Sequence, residues 1–93
     1  MNQKVTIEGI RNEIVDETYY VFPDTTVTVC LLTLKNGFHV IGSSACVSPA
    51  NFDKQTGEAM ARENAMSKCW ELLGFRLLDK IKAEEGMKSA KKE

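Results

Sequence analysis

Few residues of this chain belong to the types that make and break bonds, and those few are scattered. There is one histidine, His39, and three cysteines, Cys30, Cys46 and Cys69. A single histidine rules out a zinc site built on a histidine pair. A site of three cysteines and one histidine would need all four to converge with no short C-x-x-C spacing to organise them. A structural or half-exposed histidine near a turn is the simpler reading of His39. Ser43 and Ser44 lack the G-x-S-x-G elbow of an activated serine. Ser43 shares a strand face with His39 but lies about 13 Å away, at about 3.3 Å per residue, so the pair cannot act directly. Serines beside Gly42 leave room for something to approach, a partner helix or a ligand. Pro23-Asp24 precedes a strand, as in some metal-dependent nucleases, but the acid-x-Lys that should follow is missing. No other carboxylate cluster suits a two-metal site. The chain reads as a non-enzyme, without a metal or cofactor.

Binding chemistry is better represented. Phe38 follows the Asn36-Gly37 turn, with Lys35 placed opposite. An aromatic at the end of a sheet beside a cation can stack on a purine. Periodicity alone is equally consistent with Phe38 capping the core under the turn. Arg62 flanks the apolar stripe of a long helix and Glu63 falls inside it, and a charge there needs a partner or a function. A salt bridge and a phosphate contact both answer for Arg62. Asn51 stands at a helix start, where free backbone N–H groups attract anions. Asp53, in the first turn, takes part of that role. Arg11, Lys35 and Arg76 supply further cations, most of them read as solvated.

The elements that must position these residues follow from spacing. Ile7, Ile10 and Ile14 predict a short helix over residues 6–17, weakened by Gly9. Pro23-Asp24 reads as a turn, and Tyr19–Phe22 before it as an optional third strand. Residues 25–34 and 38–47 read as two strands joined at Asn-Gly. A two-residue turn sets Lys35 opposite Phe38, Leu34 opposite His39, Thr33 opposite Val40 and Leu31 opposite Gly42. Val27, Val29 and Leu31 then share a face with Phe38, Val40 and Ser44. The opposite face carries Cys30, Leu32, Leu34, His39 and Ile41. Both faces are largely apolar, so one should take the C-terminal helix and the other the N-terminal helix, a partner subunit or both.

A long helix begins at Asn51 or Phe52, with Asn51 as N-cap. Phe52, Thr56, Ala59, Met66, Trp70, Leu73, Leu77 and Ile81 form its main stripe. Ala61, Ala65, Cys69 and Leu72 form a second seam of smaller residues. Leu73-Gly74-Phe75 is expected to end or kink the helix, with further turns to about Lys82.

Composition sets the frame. Ninety-three residues make a single domain, residues 1–93. Such a chain buries only about 60–65% of its unfolded surface, so association would help it. The tail from about residue 84 is expected to fray. The net charge of −1 argues against a DNA or RNA binder, which needs a basic stripe. It leaves room for a small anion held by one or two arginines. The odd, widely spaced cysteines read as reduced thiols of a cytosolic protein. No apolar run approaches the ~20 residues of a membrane span.

Three ordered segments carry a resemblance: T-V-x-x-L-T-L-K-N-G-F, then S-A-C-V-S-P-A-N-F-D, then G-x-x-x-A-R-E-N-A-x-x-K-x-W-x-L-x-G-F-x-L, over residues 25–78. The chain resembles a family of small phage proteins, and within it the anti-Thoeris proteins. These act as sponges that bind the cyclic ADP-ribose signal of a bacterial TIR-domain defence system. The resemblance implies that the ligand is held intact. It implies a dimer or trimer of dimers with pockets at subunit interfaces, and a second capacity in some relatives for CBASS cyclic oligonucleotides. Carried over, Phe38 would stack on adenine and Asn51 would hydrogen-bond the ligand. Arg62 lies where the family supplies cations to phosphates, with Asn64 and Lys68 as alternative counterparts. Leu72-Leu73-Gly74-Phe75 replaces the Leu-Glu-Gly-Tyr of relatives, which removes an acid and a hydroxyl.

The expected protein is thus an α+β domain: an antiparallel hairpin, with an optional third strand, on a long C-terminal helix and a short N-terminal one. It is expected to be a homo-oligomer in the host bacterial cytoplasm that sequesters a cyclic nucleotide. The candidate ligand residues are Lys35, Phe38, Ser44, Asn51 and Arg62. The alternative is a small phage protein that inhibits a host protein through its second helix seam.

Overall fold

The computed structural model describes residues 4–92, with side chains as far as residue 86. The order is α1 (Ile7–Glu13), β1 (Ile14–Val21), β2 (Val27–Leu34), β3 (His39–Ala45), a single 3-10 turn (Pro49–Asn51) and α2 (Lys54–Lys92). The three strands form an antiparallel sheet in the order β1-β2-β3. The fold is the α+β arrangement expected, with the third strand present. The tail expected to fray falls largely on residues 87–93, whose side chains lie outside the described residues.

The N-terminal helix is shorter than the 6–17 expected. Thr6 caps it, its hydroxyl accepting from the Gly9 N–H at 3.0 Å, and at Ile14 the backbone is already extended. The isoleucine spacing that suggests a helix through residue 17 is overridden by Val15, Thr18, Tyr19 and Tyr20. These β-branched and aromatic side chains suit a pleated surface, and β2 offers its whole edge for pairing. Val15 is accommodated as a bulge between Ile14 and Asp16. At the β1–β2 turn, Asp24 takes a positive φ of 61° after Pro23. The Thr25 N–H closes that turn on the Phe22 carbonyl.

The β2–β3 hairpin differs from expectation by one residue. A two-residue turn of the favoured type needs positive φ at both Asn36 and Gly37, and only Gly37, at 89°, has it. Asn36 instead uses its side chain, Oδ1 accepting from the Phe38 N–H at 3.0 Å. The Leu34 N–H bonds the Phe38 carbonyl at 2.8 Å, which makes a three-residue loop. Leu34, not Lys35, therefore stands across from Phe38. Thr33 pairs with His39, Leu32 with Val40, and Cys30 with Gly42. Phe38, Val40, Gly42 and Ser44 do share a face, but their β2 companions are Leu34, Leu32, Cys30 and Thr28. One face is thereby buried and the other open to solvent along β3.

The seam of α2 that packs on the sheet is the one with small residues. Ala61, Ala65 and Cys69 are fully buried with Cys30 and Leu32, and Met66 and Leu73 close the core beside Ile10. The larger stripe expected to do this is mostly peripheral: Trp70 is 41% exposed, and Thr56 and Ala59 are exposed. Small side chains win because they let the helix backbone settle on Gly42, where there is no side chain to hold it off. Ala61, Ala65 and Cys69 are consequently closed to a host protein, and of that seam Leu72 alone stays exposed. Glu63 is exposed and needs no partner. Leu73-Gly74-Phe75 neither ends nor breaks α2, which runs on to Lys92. Asp53 rather than Asn51 caps it: its carboxylate accepts from the Thr56 N–H at 3.2 Å and hydroxyl at 2.6 Å. Asn51 lies one turn earlier, in the 3-10 segment.

Candidate functional site

β3 is an outer strand, and its free edge runs beside α2. Two helix side chains reach that edge. The Asn64 Oδ1 accepts from the Ser43 N–H at 3.0 Å, and the Lys68 ammonium donates to the Ile41 carbonyl at 2.6 Å. Both residues stand one position before members of the buried seam, Ala65 and Cys69. That offset of about 100° turns them outward over the strand edge. The result is a groove between β3 and α2, broken into three hollows.

At one end Phe38, Ile41, Lys68 and Leu72 line a hollow of about 430 Å³. Phe38 is 54% exposed there, so it does not simply cap the core. In the middle, Ser43, Ser44, Glu63, Asn64 and Ser67 line about 370 Å³. At the far end Ser44, Cys46, Asn51, Phe52 and Met60 enclose about 260 Å³. The Ser44 hydroxyl donates to the Gly57 carbonyl at 2.7 Å, which fixes its position at the border of the last two hollows. Ser44 and Asn51 thus meet in one hollow, while Phe38 lies about 20 Å along β3 from Ser44 at about 3.3 Å per residue.

Two candidate residues lie off this groove. Lys35 sits in the hairpin loop, its N–H donating to the Glu13 carbonyl at 2.8 Å. Arg62 projects to the β1 side of α2. Its Nε and Nη2 donate to the two carboxylate oxygens of Glu17 at 3.0 and 3.3 Å. That guanidinium holds the Glu17 carboxyl below its ordinary value, with burial opposing and the Tyr19 hydroxyl, at 2.9 Å, assisting. Burial, then Glu17, pushes the Tyr19 phenol well up. Of the two readings of Arg62, the structure shows a salt bridge, made to strand β1 of the same chain.

The remaining reactive types have local partners or are buried. His39 is exposed, its Nδ1 3.2 Å from the Thr33 hydroxyl. Cys30 and Cys69 are buried and burial pushes both thiols up, away from reactivity. Cys46 turns its thiol to the Ser48 carbonyl. Among the described residues no three of His, Cys, Asp and Glu gather as a metal site, and no helix is long and apolar enough to cross a membrane. What the groove offers is contact chemistry: an aromatic face, a lysine, two amides and hydroxyls. The residue least visible in advance was Ser67, whose signal is only its flank position beside the small-residue seam, whereas Asn64 was already an alternative counterpart of Arg62.

No curated protein and no solved structure matches the chain. Residues 5–81 do match a family, from just before α1, through the whole sheet and most of α2. With that span of its length accounted for, the chain belongs to the phage protein (N4 Gp49/phage Sf6 gene 66) family.

Proposed function

We propose that this phage protein sequesters a cyclic nucleotide immune signal in the host bacterial cytoplasm, a cyclic ADP-ribose isomer or a CBASS cyclic oligonucleotide, and does not degrade it. The observation that carries this reading is the groove. Phe38, Ser44 and Asn51, chosen from the sequence as ligand residues, all border the seam between β3 and α2. Lys68 stands with Phe38 and takes the phosphate role that Arg62, paired to Glu17, does not fill. An exposed ring supplies stacking and an ammonium supplies charge, while amides and hydroxyls read base and ribose edges.

Phe38 and Asn51 sit too far apart in one chain to clamp a single small ligand. A second copy closes the distance in this reading, setting Phe38 of one protomer against the Asn51 end of the other. The protein is then a homo-oligomer, a dimer or a trimer of dimers. Support for self-association comes from α2, where Phe75 and Leu78 are exposed, Phe75 at 70%. The same exposed residues are the observation favouring the second reading, inhibition of a host protein.

Calorimetry against cyclic ADP-ribose isomers and cyclic di- and trinucleotides separates the readings. A sponge binds one of them at about nanomolar affinity, roughly −12 kcal/mol, and releases it unchanged on denaturation. Altered product would instead identify an enzyme. No heat with any nucleotide, together with a host polypeptide retained on the protein, would replace the first reading by the second. Phe38→Ala should weaken nucleotide binding at least tenfold, and Lys68→Ala should do so more than Arg62→Ala.

A further inference from the structure

On the opposite flank of α2, a cleft of about 260 Å³ lies between the segment leading into α1 and the helix. Its floor is apolar, made by Val5, Leu73 and Leu77, with the bare backbone of Gly9 alongside. Its rim is basic: Lys4, Arg76 and Lys80 face a single acid, Glu13. The spacing explains the pairing of textures. Leu73 and Leu77 are one helical turn apart, as are Arg76 and Lys80, so apolar and cationic rows run side by side along α2. Glu13 and Arg76 are joined at 3.2 Å through one guanidinium nitrogen, which anchors the fork and leaves its other N–H groups available. Lys4 and Lys80 make no ion pair among the described residues. The rim therefore carries an excess of two positive charges on a chain whose net charge is −1. Such a local excess concentrates anions where the rest of the surface repels them.

We propose that this cleft binds a small phosphate monoester with an apolar body. A monoester carries about −1.5 to −2 charge at neutral pH and three strong acceptor oxygens. One guanidinium fork and two ammonium groups match that charge and that number of oxygens. The apolar floor receives the body. The cleft is smaller than the pockets of about 300–1,000 Å³ that hold drug-sized ligands, so the body is no larger than one ring or a short aliphatic chain. A cyclic nucleotide does not fit, and the site is independent of the groove at β3.

The test is an NMR titration of the full chain with phenyl phosphate, inorganic phosphate and benzyl alcohol. Phenyl phosphate should shift the amides of Val5, Gly9 and Leu77 and saturate. Inorganic phosphate should act on the same amides at least tenfold more weakly, and benzyl alcohol should leave them in place. The double variant Lys4→Ala/Lys80→Ala should keep the native spectrum elsewhere and lose at least tenfold in affinity, whereas Phe38→Ala should bind as the parent does. Shifts spread over all surface cations without saturation would overturn the proposal, as would undiminished affinity in the double variant or equal shifts with benzyl alcohol. Co-sedimentation with vesicles containing phosphatidic acid would assign the monoester to a lipid headgroup. Binding of phenyl phosphate without co-sedimentation would assign it to a soluble metabolite.

Discussion

A methyl group at position 42 would stand 2.3 Å from the Ala61 carbonyl oxygen and 2.3 Å from the Ala65 nitrogen. Both atoms are backbone, so neither can swing aside. Gly42→Ala is expected to destabilise the fold by about 3 kcal/mol or more, read as a fall in the denaturant midpoint. Near-parental stability would mean that α2 rides higher on the sheet than described. The Glu17–Arg62 pair makes a different prediction. Its folded-state carboxyl lies below the ordinary value, so its stabilisation is complete above about pH 4.5 and is lost as pH falls through the lowered value. Asp53, held low by Thr56, acts in the same direction. Glu17→Gln should therefore flatten part of the acid limb when stability is followed from about pH 6 to about pH 3. Superimposable limbs would show that the pair does not persist in solution.

Elements obey stricter geometry than residues, and α2 shows where sequence reasoning succeeds and where it stops. A Cβ added at Gly74 meets nothing within 4 Å, and the helix passes through it unbroken. Gly74→Ala should thus stabilise the protein by about 1 kcal/mol, raising the thermal midpoint by roughly 4–8 °C. An unchanged midpoint would place a break there after all. The hairpin and the long helix were legible because alternation, Asn-Gly and the helical seams are local signals. The hairpin register was not. It depends on whether Asn36 adopts a positive φ or bonds Phe38 through its side chain, and the residue types allow both. Nor was the end of α1, where the isoleucine spacing and the β-branched run overlap and the pairing partner decides. Of the candidate site, Phe38, Ser44 and Asn51 were recognisable by type and position. That Arg62 turns to Glu17, 45 residues away, depends on how α2 lies over the sheet, and no local pattern encodes that.

The whole molecule is longer than its core. It measures 66 × 22 × 18 Å. A helix of 39 residues extends about 58 Å, at about 1.5 Å per residue, whereas an eight-residue strand covers about 26 Å. About half of α2 therefore projects past the sheet, with Phe75 and Leu78 exposed on it. A helix in this position gains stability mainly from packing. Sedimentation velocity on the parent should show a species of at least two chains. Phe75→Glu with Leu78→Glu should shift it toward one chain and reduce the helical signal. A monomeric parent with full helicity would defeat this expectation.

The two rims of the sheet are not equivalent. At β3 the Asn64 and Lys68 side chains already occupy backbone groups that another strand would use. At β1 no side chain plays that part among the described residues, and only the bulge at Val15 interrupts the strand. A sheet hindered on one side extends more readily from the other. Joining of such sheets is therefore expected to favour one pairing, β1 to β1, over continued growth through β3. Two occupied backbone groups thus work against fibre growth by strand addition in a small protein with much apolar surface in reach of water.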